Sequence, residues 1–186
     1  MCRLDTSLTG ARITPMTKRK RTVKENGSSS IFSTFPIGLT ASDDEVIARL
    51  RAELSQGDEP EVSQRQVIRL ALRFAGQTNV KDRRFSLIRD ETASVMEERR
   101  RKRGREKYKI RSFPVFPKDM ANFRTFSNHL LSGGLNHTRT DAVRGSLRAL
   151  VQLSGQPNLW RGILAANAEL RRECAEYDQR RKAGDK

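Results

Sequence analysis

The sequence predicts a mainly α domain that carries a two-stranded antiparallel β-ribbon, and three observations predict it. A Phe-Pro-aliphatic tripeptide occurs twice, as Phe35-Pro36-Ile37 and Phe113-Pro114-Val115. Each copy is followed by two short amphipathic stretches separated by turn residues. Equivalent positions keep their order, Phe35 matching Phe113, Ile47 matching Phe123 and Leu72 matching Leu147. The small differences in spacing fall in the turns, where length changes are tolerated. Self-similarity of this kind reads as one structural unit used twice.

In the first copy Phe35, Ile37 and Leu39 alternate with Thr34, Pro36 and Gly38. Period two over this length predicts a short strand with one apolar face. Ser42, with Glu45 three residues on, has capping-box spacing for a helix striped by Ile47, Leu50 and Leu54. Gly57 and Pro60 break that helix. Ser63 and Gln66 make a second capping box ahead of the apolar face Val67, Ile68, Ala71, Leu72 and Ala75, and Gly76 closes the helix.

From Asp82 onward a stripe of Phe85, Ile88, Val95 and Met96 predicts a helix in the connection, turning basic toward its end. In the second copy Phe113, Val115 and Pro117 take the inner face of the strand. Asp119 is the expected cap of a helix striped by Phe123, Phe126 and Leu130, which Gly133 and Gly134 end. Thr138 with Asp141 opens the next helix, with Val143, Leu147 and Leu150 on its apolar face. Pro157 suits the first turn of a long final helix striped by Leu159, Ile163, Leu170, Cys174 and Tyr177.

The expected organisation is a basic disordered arm over residues 1–30, a first strand-helix-helix unit over 31–76 and a basic helical linker over 77–109. A second unit follows over 110–155, then a C-terminal helix over 156–186. A unit of about 45 residues is near the size below which a chain needs help to fold. The two units are therefore expected to share one core and form one domain.

Charge bounds the function. Thirty-seven Lys and Arg against 22 Asp and Glu leave a formal net charge of +15, which favours a polyanionic partner. No apolar run is long enough for a spanning helix, and the first residues lack the apolar middle of a signal peptide. Cys2 and Cys174 suggest neither a disulfide framework nor a metal site. A cytoplasmic protein without cofactor, metal or membrane partner is the expectation, bacterial and nucleoid-associated if it has the fold that the repeat suggests. His129 and His137 fall near a Gly-containing turn, and no phosphate loop, HExxH or GxSxG motif accompanies them, so no enzyme activity is expected.

The order strand, helix, helix in two copies, with "SQRQVIRLALR" from Ser63 as the second helix, resembles the ribbon-helix-helix family of DNA-binding proteins. Fused pairs of that unit occur in plasmid conjugation regulators and TraY-like relaxosome accessory proteins. The resemblance implies a sequence-specific double-stranded DNA-binding transcriptional regulator of plasmid or mobile-element transfer genes. It would insert the ribbon in the major groove. It also implies a monomer with an internal pseudo-twofold, able to assemble further on DNA. Base contacts would come from Thr34, Pro36 and Gly38 on one strand, and from Arg111, Ser112, Pro114 and Phe116 on the other. Phosphates would meet the helix N-termini at Ser63, Gln64, Thr138 and Arg139.

The sequence departs from the family in placing two prolines and a glycine on the outer face, where polar or basic side chains are usual. Affinity is therefore expected from the basic run Arg99, Arg100, Arg101, Lys102, Arg103, Arg105, Lys107 and Lys109, with phosphate contacts releasing counterions. Lys18 to Arg21 form a second cluster in the arm. A relaxosome or transfer-origin accessory protein is the alternative of the same class. A basic RNA-binding or architectural protein is the alternative of another class, disfavoured by only 6% aromatic residues. A helix-turn-helix fits less well, since Gln56 to Ser63 exceeds its short turn. The C-terminal helix is expected to pack within the chain, or else to face RNA polymerase or a relaxosome protein.

Overall fold

The structure is a computed structural model and describes residues 33–55, 61–102 and 107–184. Two strands, β1 (Ser33–Leu39) and β2 (Lys109–Val115), form one antiparallel ribbon. Among the described residues six helices accompany it: α1 (Ala41–Leu54), α2 (Gln64–Gly76), α3 (Arg83–Arg101), α4 (Pro117–Ser132), α5 (Arg139–Ser154) and α6 (Pro157–Gly184). The chain is thus mainly α with a small ribbon. The N-terminal arm with Lys18 to Arg21, the breakers Gly57 and Pro60, and Arg103 and Arg105 lie outside the described residues.

The ribbon's register carries the repeat into three dimensions. Phe35 stands opposite Phe113, so two residues equivalent in the repeat face each other. That is the pairing a twofold relation between the copies requires. The helices reciprocate: α1 packs on α5 while α4 packs on α2, and α2 and α5 meet in the middle. Each copy therefore completes the other's core.

The inner ribbon face, Phe35, Ile37, Leu39, Phe113 and Val115, is fully covered by that core. Removing each large side chain from water stabilises the fold by about 1.5–3 kcal/mol. The rings of Phe35 and Phe123 meet edge to face at 6.0 Å and those of Phe85 and Phe126 at 5.5 Å.

The third helices join this scheme. α3 packs on α5 and α6 packs on α2. Read in sequence as a linker and a separate C-terminal helix, they take reciprocal places, each helix following one copy and docking on the other. α3 buries Phe85, Ile88, Val95 and Met96, the stripe the spacing predicts. In α6 the stripe holds at Ile163 and Leu170, but Leu159 is exposed and Trp160 is buried in its place.

The capping boxes at Ser63–Gln66 and Thr138–Asp141 form as their spacing predicts. The Ser63 N–H donates to Gln66 Oε1 at 2.8 Å, and the Thr138 N–H to Asp141 Oδ2 at 2.8 Å. Two other expectations are corrected. α1 is capped by Thr40, whose N–H donates to Asp43 Oδ2 at 2.8 Å, and Ser42 lies inside the first turn. β1 runs directly into the helix, so the cap falls on the residue after Leu39 and not on a later serine.

Asp119 does not cap α4 either. Phe116 holds the cap position without a side-chain bond, and Pro117 opens the helix, where its missing N–H costs nothing. Pro117 is consequently exposed and does not continue the inner face of β2. At the end of α4, Gly134 adopts φ +84°, the left-handed region that favours glycine. His137 pins the following turn between Leu135 O and Ser127 Oγ, both at 2.8 Å.

Candidate nucleic-acid interface

With one face of the ribbon buried, strand alternation turns the other face outward. That outer face carries Thr34, Pro36 and Gly38 from β1 opposite Pro114, Ser112 and Ile110 from β2. Thr34, Pro36, Ser112 and Ile110 are exposed; Gly38 and Pro114 are half-buried. The two prolines are tolerated because both strands of a two-stranded ribbon are edges.

Two of the expected base contacts are not on this face. Arg111 has inner-face parity, opposite Ile37, and its guanidinium grips Asp44 through two hydrogen bonds of 2.7 and 2.9 Å. Asp44 lies in the first turn of α1, where the helix dipole favours a carboxylate. Arg111 thus ties β2 to α1. Phe116 lies beyond the end of β2, half-buried, with the Arg69 guanidinium 5.4 Å from its ring centre.

One outer-face residue escaped the sequence reading. Ile110 is 78% exposed, opposite Gly38. Counting back in steps of two from Pro114 through Ser112 reaches it, so the signal was present once the strand's start was known. The same step back from Thr34 in the first copy reaches Phe32, which lies outside the described residues.

Two equivalent arginines brace the ends of the ribbon. Arg69 donates from Nε to Pro114 O at 2.7 Å and lies under Phe116. Arg144, fully buried, donates from Nε to Asp43 Oδ1 at 2.9 Å and lies under Tyr108 at 5.7 Å. Tyr108 also fills the space above Gly38, where an added Cβ would stand 3.5 Å from its ring.

The caps differ in electrostatics. Ser63 opens α2 with no acidic residue in the first turn, and Arg65 in that turn is exposed. Thr138 opens α5 beside the buried carboxylate of Asp141, which Arg99 Nη1 meets at 3.0 Å. The Arg139 guanidinium lies 5.7 Å from the Phe35 ring centre. An open groove runs here, lined by Pro36, Gly38 and Ile110 of the ribbon, Thr138 and Asp141 of α5, and Arg99 of α3. Ribbon face, helix cap and basic run, read separately in the sequence, meet along it.

No protein-family model, curated protein or solved structure matches the chain. Among the described residues, no helix is long and apolar enough to cross a membrane.

The four cations at the end of α3 have acidic neighbours. Arg99 meets Asp141 at 3.0 Å, Arg101 meets Glu97 at 3.3 Å, and Lys102 meets Glu98 at 2.6 Å; Arg100 is 3.9 Å from Glu97. Lys102 and then Arg148 hydrogen-bond to Glu98 and pull its carboxyl down to about 2. The Arg100 and Arg101 pairs with Glu97 are exposed and worth only about 0–1 kcal/mol, so a phosphate can displace that carboxylate. Lys107 and Lys109 are exposed at the start of β2.

Proposed function

We propose that the chain is a sequence-specific double-stranded DNA-binding regulator of transcription, built as a tandem ribbon-helix-helix in one chain. The observation that carries this reading is the pairing of Phe35 with Phe113, which sets two strand-helix-helix copies about one ribbon. A two-stranded ribbon has the width of the B-DNA major groove. Its outer face offers the hydroxyls of Thr34 and Ser112, equivalent in the repeat and each opposite a proline. These reach base edges as donors or acceptors. The N-termini of α2 and α5 present backbone N–H groups to phosphates, with the helix dipoles favouring the anion. The basic end of α3 and Lys107 and Lys109 add sequence-independent, salt-sensitive attraction.

The deciding experiment is selection of bound fragments from a random duplex pool, at moderate salt with excess nonspecific competitor. Enrichment of one short, roughly palindromic motif is the expected result. Tight binding without enrichment would overturn the reading in favour of a basic architectural or RNA-binding protein.

A further inference from the structure

Resting on that reading, the geometry points to Ile110 as the reader of a thymine methyl group in the half-site that its end of the ribbon meets. Among the described residues Ile110 is the most exposed large hydrophobic side chain. Its cross-strand neighbour is Gly38, so no side chain on β1 covers it. The Tyr108 ring lies over that glycine, and together with Pro36 these residues make one side of the groove that runs to the cap of α5. The patch is therefore continuous and apolar, and cations flank it: exposed Lys107 and Lys109 alternate with Tyr108 and Ile110 along the chain, and Arg99 lines the same groove. Contact with an apolar group takes it out of water. The apolar group displayed in the major groove is the thymine C5-methyl, and contact between the two needs no hydrogen bond.

The register restricts the assignment to one end. With the axis between Phe35 and Phe113, Thr34 matches Ser112 and Pro36 matches Pro114. The pair Gly38 and Ile110 matches Phe116 and Phe32. Of those two, Phe116 is engaged by Arg69, and Phe32 is outside the described residues. The claim for Ile110 concerns the half-site on the side of Gly38 and Tyr108, and stands independently of what Phe32 does.

Deoxyuridine tests this directly, because it keeps the pairing and the O4 acceptor of thymine and lacks only the methyl. On the motif enriched by selection, each thymine is replaced singly by deoxyuridine. Dissociation constants are then measured for the full chain and for Ile110→Ala, an exposed position where circular dichroism is expected to show an unchanged fold. One replacement is expected to weaken the unaltered chain roughly fourfold, the value of about one buried methyl-sized group. That replacement should leave Ile110→Ala unaffected, while losses at any other thymine should be the same in both proteins.

If every deoxyuridine is tolerated, or if every loss persists in Ile110→Ala, the assignment falls while sequence-specific binding stands. If Ile110→Ala abolishes a self-association seen by sedimentation without DNA, and leaves site preference intact, the patch belongs to a second copy and the assignment also falls. If no motif is enriched at all, the parent reading fails first.

Discussion

α3 and α6 occupy reciprocal places, yet they dock differently. α3 crosses α5 at Gly145, where an added Cβ would stand 2.2 Å from Thr92 Oγ1 and 2.7 Å from its backbone nitrogen. The equivalent of Gly145 in "VIRLALR" against "AVRGSLR" is Leu70. There α6 stands off, and a groove lined by Leu70, Phe74, Leu159 and Ile163 remains between it and α2. Polar ties supplement the packing: Arg73 reaches Glu173 and Arg69 reaches Cys174. The matching arginine in α5, Arg148, reaches Glu98 of α3 in the same way. Both helices are tied by charge, and α3 adds backbone proximity at Gly145. Arginines and leucines recur at matching positions of α2 and α5, and a Gly-for-Leu difference falls where α3 crosses α5.

The first-helix carboxylates sharpen this contrast most. Asp43 is buried, pairs with the buried Arg144 and also caps α1 through Thr40. Asp43→Ala should destabilise the fold by about 3–5 kcal/mol, because it removes both the carboxylate paired with a fully buried guanidinium and the cap of α1. Its counterpart Asp119 pairs with Arg73, which keeps Glu173 as a second partner. Asp119→Ala should therefore cost less in the same urea titration. Equal losses would mean that Glu173 contributes nothing to Arg73.

The helix crossing comes next. Gly145→Ala forces α3 away from α5 and should cost about 1–3 kcal/mol by overpacking. Retained stability by urea unfolding would show that the tight approach is not what holds α3. α6, already standing off at Leu70, offers no site for the equivalent clash.

Much of this was legible locally and little of it at long range. Alternation in Phe35 to Leu39, the Ser63–Gln66 and Thr138–Asp141 boxes and the α3 stripe are written within one or two turns of chain. The cap at Thr40 depended on where β1 ends. Arg111 shares the parity of Phe113 and Val115, so alternation alone excluded it from the outer face, while its partner Asp44, 67 residues away, was not legible. The roles of α3 and α6 were hidden for the same reason. Their kinship lies in which helix each packs on, and residue order alone does not reveal it. At the interface, the pattern located the ribbon's outer face and both caps, but the carboxylates threaded through the basic run only acquired meaning once Asp141 and Glu98 were seen beside it.

Acid tests the ion pair that ties α3 to α5. Glu98 has its carboxyl held at about 2 instead of the ordinary 4.5 by Lys102 and Arg148. A carboxyl depressed by folding adds stability above its unfolded value, and the gain is lost as pH falls through the folded one. The contribution of Glu98 should thus be complete above 4.5 and fade toward 2. Glu98→Gln should flatten that part of the stability–pH curve, measured by urea midpoints, with a small effect because the group is partly solvated. An unaltered acid limb would place the dependence on other carboxylates.

The smallest expected change in stability, and the one that speaks to function, lies in Arg100, Arg101 and Lys102. Their partners Glu97 and Glu98 are on the same helix, so removing the three cations should leave the urea midpoint nearly unchanged. DNA binding should respond differently. Each phosphate contact given up lowers the slope of log K against log salt by about 0.9, equally for every sequence. Arg99→Gln adds a second effect, since it leaves the buried Asp141 carboxylate facing the groove at the cap of α5. The triple variant should therefore weaken all sites in proportion and keep the selected motif. Arg99→Gln should depress binding more than its single charge predicts, because a carboxylate at a helix N-terminus repels the phosphate that the dipole would otherwise hold. If Arg99→Gln behaves as one more surface cation, the groove beside Thr138 does not hold a phosphate, and the ribbon must meet DNA with α2 alone as its clamp.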